Sequence, residues 1–251
     1  MIYLKALMSS FLRRTIQCLL FGMAICCPIA EAQTPTDPVG YITVRFVAGK
    51  KGAMAVPLAN YYKILSSVTA AGADYVEYGR DLPLDLLGPA GNACLDVRSG
   101  PGAGQSLRVT GFSGRRVNFE APALLPIAPG TEVGIRPNWT IGELIGSPPV
   151  AQIQQGSSAA NADVLGLQDP ATQTTREFFY MSGAGWREIG HEAEGDRSAT
   201  AIPYRSSLQF FRRGGTDIDI ELFGFIPMFY ASSHWVRVWP GRNLLPTPFS
   251  P

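Results

Sequence analysis

The chain has 251 residues, a formal net charge of +1 at pH 7, 46% hydrophobic residues and only 16% charged residues. This apolar content and low net charge exclude an intrinsically disordered chain, and without a basic excess we expect no nucleic-acid partner. With 27 glycines and 20 prolines, the composition is that of a globular protein rich in turns.

The first 32 residues have the pattern of a secretory signal peptide. Basic residues precede an apolar stretch from 18 to 30, which is too short to span a bilayer comfortably, and an A-x-A cleavage pattern ends at Ala32. We therefore expect an exported protein, periplasmic or extracellular, that begins at Gln33 and keeps no stable membrane span.

The sequence disfavours two alternatives to cleavage by an ordinary signal peptidase. An uncleaved membrane anchor is disfavoured by Pro28 within the short apolar stretch. Lipid attachment at Cys26 or Cys27 is disfavoured because it requires a small residue just before the cysteine. Cleavage would remove three of the four cysteines and leave Cys94, so the mature chain could form no internal disulfide.

Stretches rich in β-branched, aromatic and alternating residues predict about a dozen short strands and hence an all-β fold. The expected architecture is an antiparallel sandwich or a partly closed barrel. Pro57 predicts that the second strand lies at a sheet edge, and the glycine-rich turn 99–105 predicts a hairpin. The predicted strands are 41–47, 53–58, 62–69, 73–78, 93–99, 106–112, 117–119, 133–136, 162–167, 176–182, 186–189, 207–213, 217–225 and 234–239.

One short helix is predicted after Thr140. Thr140 and Glu143 have the spacing of a capping box, and Gly146 followed by two prolines ends the helix. We expect residues 33–251 to form a single domain, and any domain boundary to fall in the polar, small-residue stretch 152–162.

The order of several motifs resembles an uncharacterised family of exported bacterial proteins, of the Verrucomicrobia type, that begin TDPVGY after the signal peptide. The matching motifs are Thr36–Tyr41, Ser99–Gly104, Ile135–Leu144, Ala162-Asp163, Phe179-Tyr180, Gly185–Arg187 and Pro240–Leu244. They cover residues 36 to 245. Ile141 replaces a leucine of the family, and Tyr204 replaces a glycine that usually follows a proline there. The resemblance implies export and an all-β fold, and it implies no activity, catalytic residue or cofactor.

Tryptophans are the candidate ligand-binding residues. Sugar rings stack on aromatic side chains, and Trp186, Trp235 and Trp239 lie on predicted strands, with Trp235 and Trp239 on one face beside Arg237. The competing interpretation is that the tryptophans fill a β core or cover its end.

Alternation from Asp217 to Leu222 places three acids, Asp217, Asp219 and Glu221, on one strand face. This face could bind a cation such as calcium. The simpler interpretation is a solvated face whose acids pair with Arg212, Arg213 or Arg237 across the sheet.

Catalytic patterns are weak. No G-x-S-x-G motif occurs, the single mature cysteine has no histidine nearby in sequence, and the two histidines lack zinc spacing. We expect no metal and no cofactor.

The leading hypothesis is a non-enzymatic binding or structural module whose partner is a polysaccharide or another cell-envelope component. The alternative is a secreted glycan-directed hydrolase, which would need two carboxylates across a cleft.

Overall fold

The computed structural model describes residues 39–56, 58–83, 88–120, 123–150, 152–169, 172–204, 206–226 and 240. All of these residues belong to one compact unit, Asp37–Pro251. The predicted signal peptide and the predicted strand 234–239 lie outside the described residues. Within the described part of the chain, no helix is long and apolar enough to cross a bilayer.

The fold is all-β, as the sequence predicts. Its strands are β1 (Val39–Phe46), β2 (Lys51–Ala55), β3 (Ile64–Ala71), β4 (Tyr75–Tyr78), β5 (Ala93–Val97), β6 (Ser106–Ser113), β7 (Arg116–Phe119), β8 (Glu132–Pro137), β9 (Trp139–Thr140), β10 (Val164–Asp169), β11 (Thr174–Met181), β12 (Gly185–Glu188), β13 (Ala201–Ile202), β14 (Ser207–Phe211) and β15 (Ile218–Phe225). The one α-helix among the described residues is α1 (Ile141–Ile145), and 3-10 turns cover Ala90–Asn92 and Glu192–Glu194.

The strands form four antiparallel assemblies. Six strands close into a barrel in the order β3-β4-β7-β6-β5-β8, and five form an open sheet in the order β12-β11-β10-β14-β2. β1 pairs with β15 in a two-stranded ribbon, and β9 pairs with β13. The predicted edge position of β2 and the predicted β5–β6 hairpin are both confirmed.

The predicted helix is also confirmed. The Thr140 side chain accepts a hydrogen bond from the Glu143 amide, and the Glu143 carboxylate accepts one from the Thr140 amide. This capping box satisfies two backbone donors at the start of α1. Ile141 and Ile145 on α1 are buried in the core.

Two hydrophobic cores support these assemblies. The barrel interior is filled by side chains that include Val76, Leu95, Val109 and Ile135. The second core contains side chains of the open sheet, the inner face of the ribbon and α1, including the Phe46–Phe210 ring pair with centroids 4.7 Å apart. The stretch 152–162, predicted as the place of any domain boundary, contributes Ile153 to this second core.

The outer wall of the barrel carries a buried ion pair where β5 meets β8. Side chains alternate along each strand, so Leu95 and Ile135 point inward while Asp96 and Arg136 point outward. Nevertheless the side chains of Asp96 and Arg136 are only 0% and 1% exposed. Arg136 Nε donates to Asp96 Oδ2 at 2.6 Å, and Arg136 Nη2 donates to Asp96 Oδ1 at 3.3 Å.

Neighbouring polar groups complete the hydrogen bonding of Asp96. Ser106 Oγ donates to its Oδ1 at 2.6 Å, and Tyr62 Oη donates to its Oδ2 at 2.9 Å. Burial alone would raise the pKa of Asp96, but the charge and hydrogen bonds of Arg136, with the bonds from Ser106 and Tyr62, hold that pKa below its usual value. The same burial raises the pKa of the Tyr62 hydroxyl.

Two tyrosines cover this ion pair. The Tyr62 ring lies so close to Gly134 that a Cβ there would come within 2.4 Å of ring carbons, which explains the glycine in the middle of a strand. The Tyr204 ring stacks on Arg136, with the guanidinium carbon 4.0 Å from the ring centroid. The Tyr204 amide donates to Asn138 Oδ1 at 3.3 Å. The polar cluster therefore joins the barrel wall to the segment that follows β13.

We expect Asp96→Asn to lower the free energy of unfolding by about 3–5 kcal/mol, because it leaves the buried Arg136 charge without its counterion. The exposed Arg45–Asp219 pair, joined at 2.8 Å, offers a matched control, and Asp219→Asn should change the free energy of unfolding far less, because solvent screens this pair. Urea unfolding of both variants at neutral pH measures the difference. Equal losses would contradict the role assigned to the buried pair.

The same ion pair should make the free energy of unfolding depend on pH in the acid range. Because folding lowers the pKa of Asp96, its contribution is present above the unfolded pKa of about 3.9 and is lost as the pH falls toward the folded pKa. The Asp96→Asn protein should lack this part of the acid dependence.

Candidate ligand-binding face

The ribbon of β1 and β15 has two different faces. Antiparallel register places Val39 opposite Phe225, Tyr41 opposite Phe223, Thr43 opposite Glu221 and Arg45 opposite Asp219. All eight side chains lie on the outer face, because the intervening residues Ile42, Val44, Ile220 and Leu222 pack into the second core. The outer face is aromatic at one end and charged at the other.

The aromatic end is open to solvent. Tyr41 is 78% exposed and Phe223 is 63% exposed, although large apolar side chains are usually buried. Tyr61, which is 54% exposed, meets Phe225 edge to face with ring centroids 5.2 Å apart. We call Tyr41, Tyr61, Phe223 and Phe225 the aromatic face.

The aromatic face is held on well-anchored backbone. Ala59 forms two backbone hydrogen bonds with Phe225, of 2.7 and 2.8 Å, which fix the segment carrying Tyr61 beside β15. Gly224 faces inward between Leu58, Ala59 and Trp139, where an added Cβ would lie 2.8 Å from the Ala59 carbonyl oxygen. This close approach holds β15 against its neighbours and leaves Phe223 pointing outward.

Trp139 borders the aromatic face. Its indole nitrogen donates to the Leu58 carbonyl at 3.0 Å, and its ring meets Phe223 edge to face at 6.0 Å. At the other border, Lys63 Nζ lies 4.9 Å from the Tyr61 ring centroid in a cation–π contact.

The charged end is built from the acids that the sequence singled out. Arg45 forms a bidentate pair with Asp219, with distances of 2.9 and 2.8 Å, and this pair holds the pKa of Asp219 below its usual value. Asp217 accepts the Ala48 amide at 2.9 Å. Among the described residues, no group of three or more His, Cys, Asp or Glu side chains could hold a metal ion.

The partner expected for these acids is corrected by the strand pairing. β15 pairs with β1, so Arg45 lies directly opposite Asp219. Arg212 instead bonds the buried Asp163, and Arg213 lies over the Phe211 ring, 4.5 Å from its centroid. Arg237 lies outside the described residues.

Of the three tryptophans predicted to bind ligand, Trp186 lies within the described residues. Trp186 is 1% exposed, donates from its indole nitrogen to the Gly146 carbonyl at 2.9 Å, and meets Tyr180 edge to face at 5.7 Å. It is a core residue with no ring face open to a sugar. Trp235 and Trp239 lie outside the described residues.

The sequence analysis did not predict the aromatic face, because it treated tryptophan as the only aromatic residue type that would stack on a sugar. The alternation of side chains along each strand would have predicted it. Phe223 lies two residues beyond Glu221 and therefore on the acidic face of β15, and Tyr41 lies two residues before Thr43 and therefore on the same face of β1 as Thr43 and Arg45. That these two strands are neighbours, with residues 47–217 between them, has no signature in a single sequence.

Comparison with family models, with curated proteins and with solved structures finds no match to this chain. The family resemblance therefore stays a prediction, and the function has to be argued from the geometry of the site.

We expect Trp186→Ala to cost about 3–5 kcal/mol of unfolding free energy, because it empties a packed core site. Tyr41→Ala removes a large side chain that is exposed to solvent. It should lower the free energy of unfolding by no more than about 0.5 kcal/mol. Urea unfolding followed by far-ultraviolet circular dichroism compares the two. A Trp186→Ala protein as stable as the parent would contradict the core position.

Proposed function

We propose that this protein is an exported, non-enzymatic module that binds a polysaccharide of the cell envelope or exterior through the aromatic face. The observation that carries this proposal is the exposed cross-strand pair of Tyr41 and Phe223. Solvent-exposed apolar surface of this kind is typical of interaction sites.

The chemistry of the aromatic face suits a sugar chain. The C–H surface of a sugar ring packs on an aromatic ring, while its hydroxyl groups need polar partners at the edge. Tyr41 and Tyr61 each combine a ring with a hydroxyl, and Thr43 and Glu221 lie in the next cross-strand pair. Aromatic side chains also lose little conformational entropy on binding, because they have only two side-chain torsions.

The hydrolase alternative requires a carboxylic acid that keeps its proton near neutral pH, so its pKa must be raised. Where a pKa shift is resolved among the described carboxyl groups, the pKa is lowered, for Asp96, Glu188, Glu192, Glu194, Asp196 and Asp219. These groups are suited to remain ionised, which favours the binding role over acid catalysis.

We expect the double variant Tyr41→Ala/Phe223→Ala to lose retention on the polysaccharide that retains the parent protein, with Kd raised at least about tenfold, as for loss of central aromatic contacts. Purified residues 33–251 are tested against an array of polysaccharides. Intrinsic tryptophan fluorescence provides a second readout, because Trp139, one of the four tryptophans of the chain, contacts Phe223.

Leu124→Ala is the control for that experiment, since Leu124 is an exposed apolar residue between β7 and β8 of the barrel. It should leave retention unchanged. Undiminished retention of the double variant, with its fold intact by circular dichroism, would remove the aromatic face from the binding site.

Export is tested separately by expressing the full chain in a bacterium. We expect the protein in the periplasm or medium with the mass of residues 33–251. Ala32→Arg should block processing because the cleavage site requires a small residue there, whereas Glu31→Gln at the intervening position should be processed normally. A cytoplasmic protein that retains residues 1–32 would contradict export.

A further inference from the structure

Glu221 is the acid closest in register to the exposed ring pair. It lies opposite Thr43, one cross-strand pair along from Tyr41 and Phe223. Two residues along a strand span about 6.8 Å, so a chain stacked on the rings passes beside the Glu221 carboxylate.

The other two acids that the alternation singled out, Asp217 and Asp219, already have partners. Asp219 accepts hydrogen bonds from Nε and Nη2 of Arg45, and Asp217 accepts a backbone amide. Within the described residues no cation pairs with Glu221. Within that part of the chain, the Glu221 carboxylate therefore has no salt-bridge partner beside the aromatic rings.

From this arrangement we infer that the aromatic face selects uncharged polysaccharides over polyanionic ones, and that Glu221 is the residue that determines this selectivity. The inference rests on the proposed binding function. An ionised carboxylate accepts strong hydrogen bonds from sugar hydroxyls. It also repels carboxylates or sulfates on a bound chain, and such like-charge contacts oppose association.

Arg45 next to Glu221 is engaged by Asp219, and a second cation, Lys63, lies at the far border of the aromatic face. Lys63 contacts Tyr61, whose ring meets Phe225 at the aromatic end of the ribbon. Glu221 lies on the opposite side of the Tyr41–Phe223 pair. An anionic chain that ran along the ribbon from Lys63 across the Tyr41–Phe223 pair would pass Glu221 as well. Selectivity should therefore depend on Glu221 and weaken with salt, because the screening length falls to about 10 Å at 0.1 M.

The test uses pairs of soluble polymers that share a backbone and differ in charge: hydroxyethyl and carboxymethyl cellulose, hydroxyethyl and carboxymethyl starch, and dextran and carboxymethyl dextran. Retention of residues 33–251 is measured by affinity electrophoresis at low salt. Where the protein binds the uncharged polymer of a pair, we expect at least about tenfold weaker binding to the carboxymethyl polymer of that pair.

Glu221→Gln should narrow that difference to about threefold or less, mainly by strengthening binding to the carboxymethyl polymer, because the amide keeps an acceptor but removes the charge. Glu177→Gln is the matched control. Glu177 is exposed on β11 of the open sheet, so its substitution changes the net charge equally at a position off the aromatic face.

The outcomes separate the two proposals. Equal binding of the parent protein to both members of a pair, or a Glu221→Gln shift no larger than that of Glu177→Gln, would overturn the selectivity and leave polysaccharide binding in place. Retention on no polymer of any pair would overturn both.

Discussion

The ion pair of Asp96 and Arg136 is the constraint on which the arrangement around the barrel depends. Both charges lie on the outer wall, where a barrel strand ordinarily meets solvent, yet both are fully covered. A buried carboxylate is tolerated only when its oxygens are hydrogen-bonded and its charge is matched, and here Arg136, Ser106 and Tyr62 do this. The Tyr62 ring requires a glycine beneath it, and the Tyr204 ring lies over the Arg136 guanidinium, whose carbon is 4.0 Å from the ring centroid.

The ribbon of β1 and β15 illustrates how one pattern serves two purposes. Its inner residues complete the second core, so the ribbon cannot slip by one residue without exposing that core. The same register then dictates that Tyr41, Phe223 and Glu221 share the outer face. Core packing therefore sets the geometry of this outer face.

The aromatic residues divide by exposure and not by type. Trp186 is a core residue that satisfies its indole nitrogen on a carbonyl, whereas Tyr41 and Phe223 are the open rings. A large indole stabilises a core strongly, so a tryptophan on a short strand next to tight turns is as suited to packing as to ligand binding.

The sequence by itself determined the all-β class, the β5–β6 hairpin, the edge position of β2 and the capping box of α1, because each depends on neighbouring residues alone. It also indicated that the acids of β15 share a face, since alternation is a local property. Only the tertiary structure decided that six strands close into a barrel, that Arg45 pairs with Asp219, and that Asp96 and Arg136 are buried under two tyrosines. These features join residues that are distant in sequence, and strand pairing across such distances is settled by the packing of the whole chain.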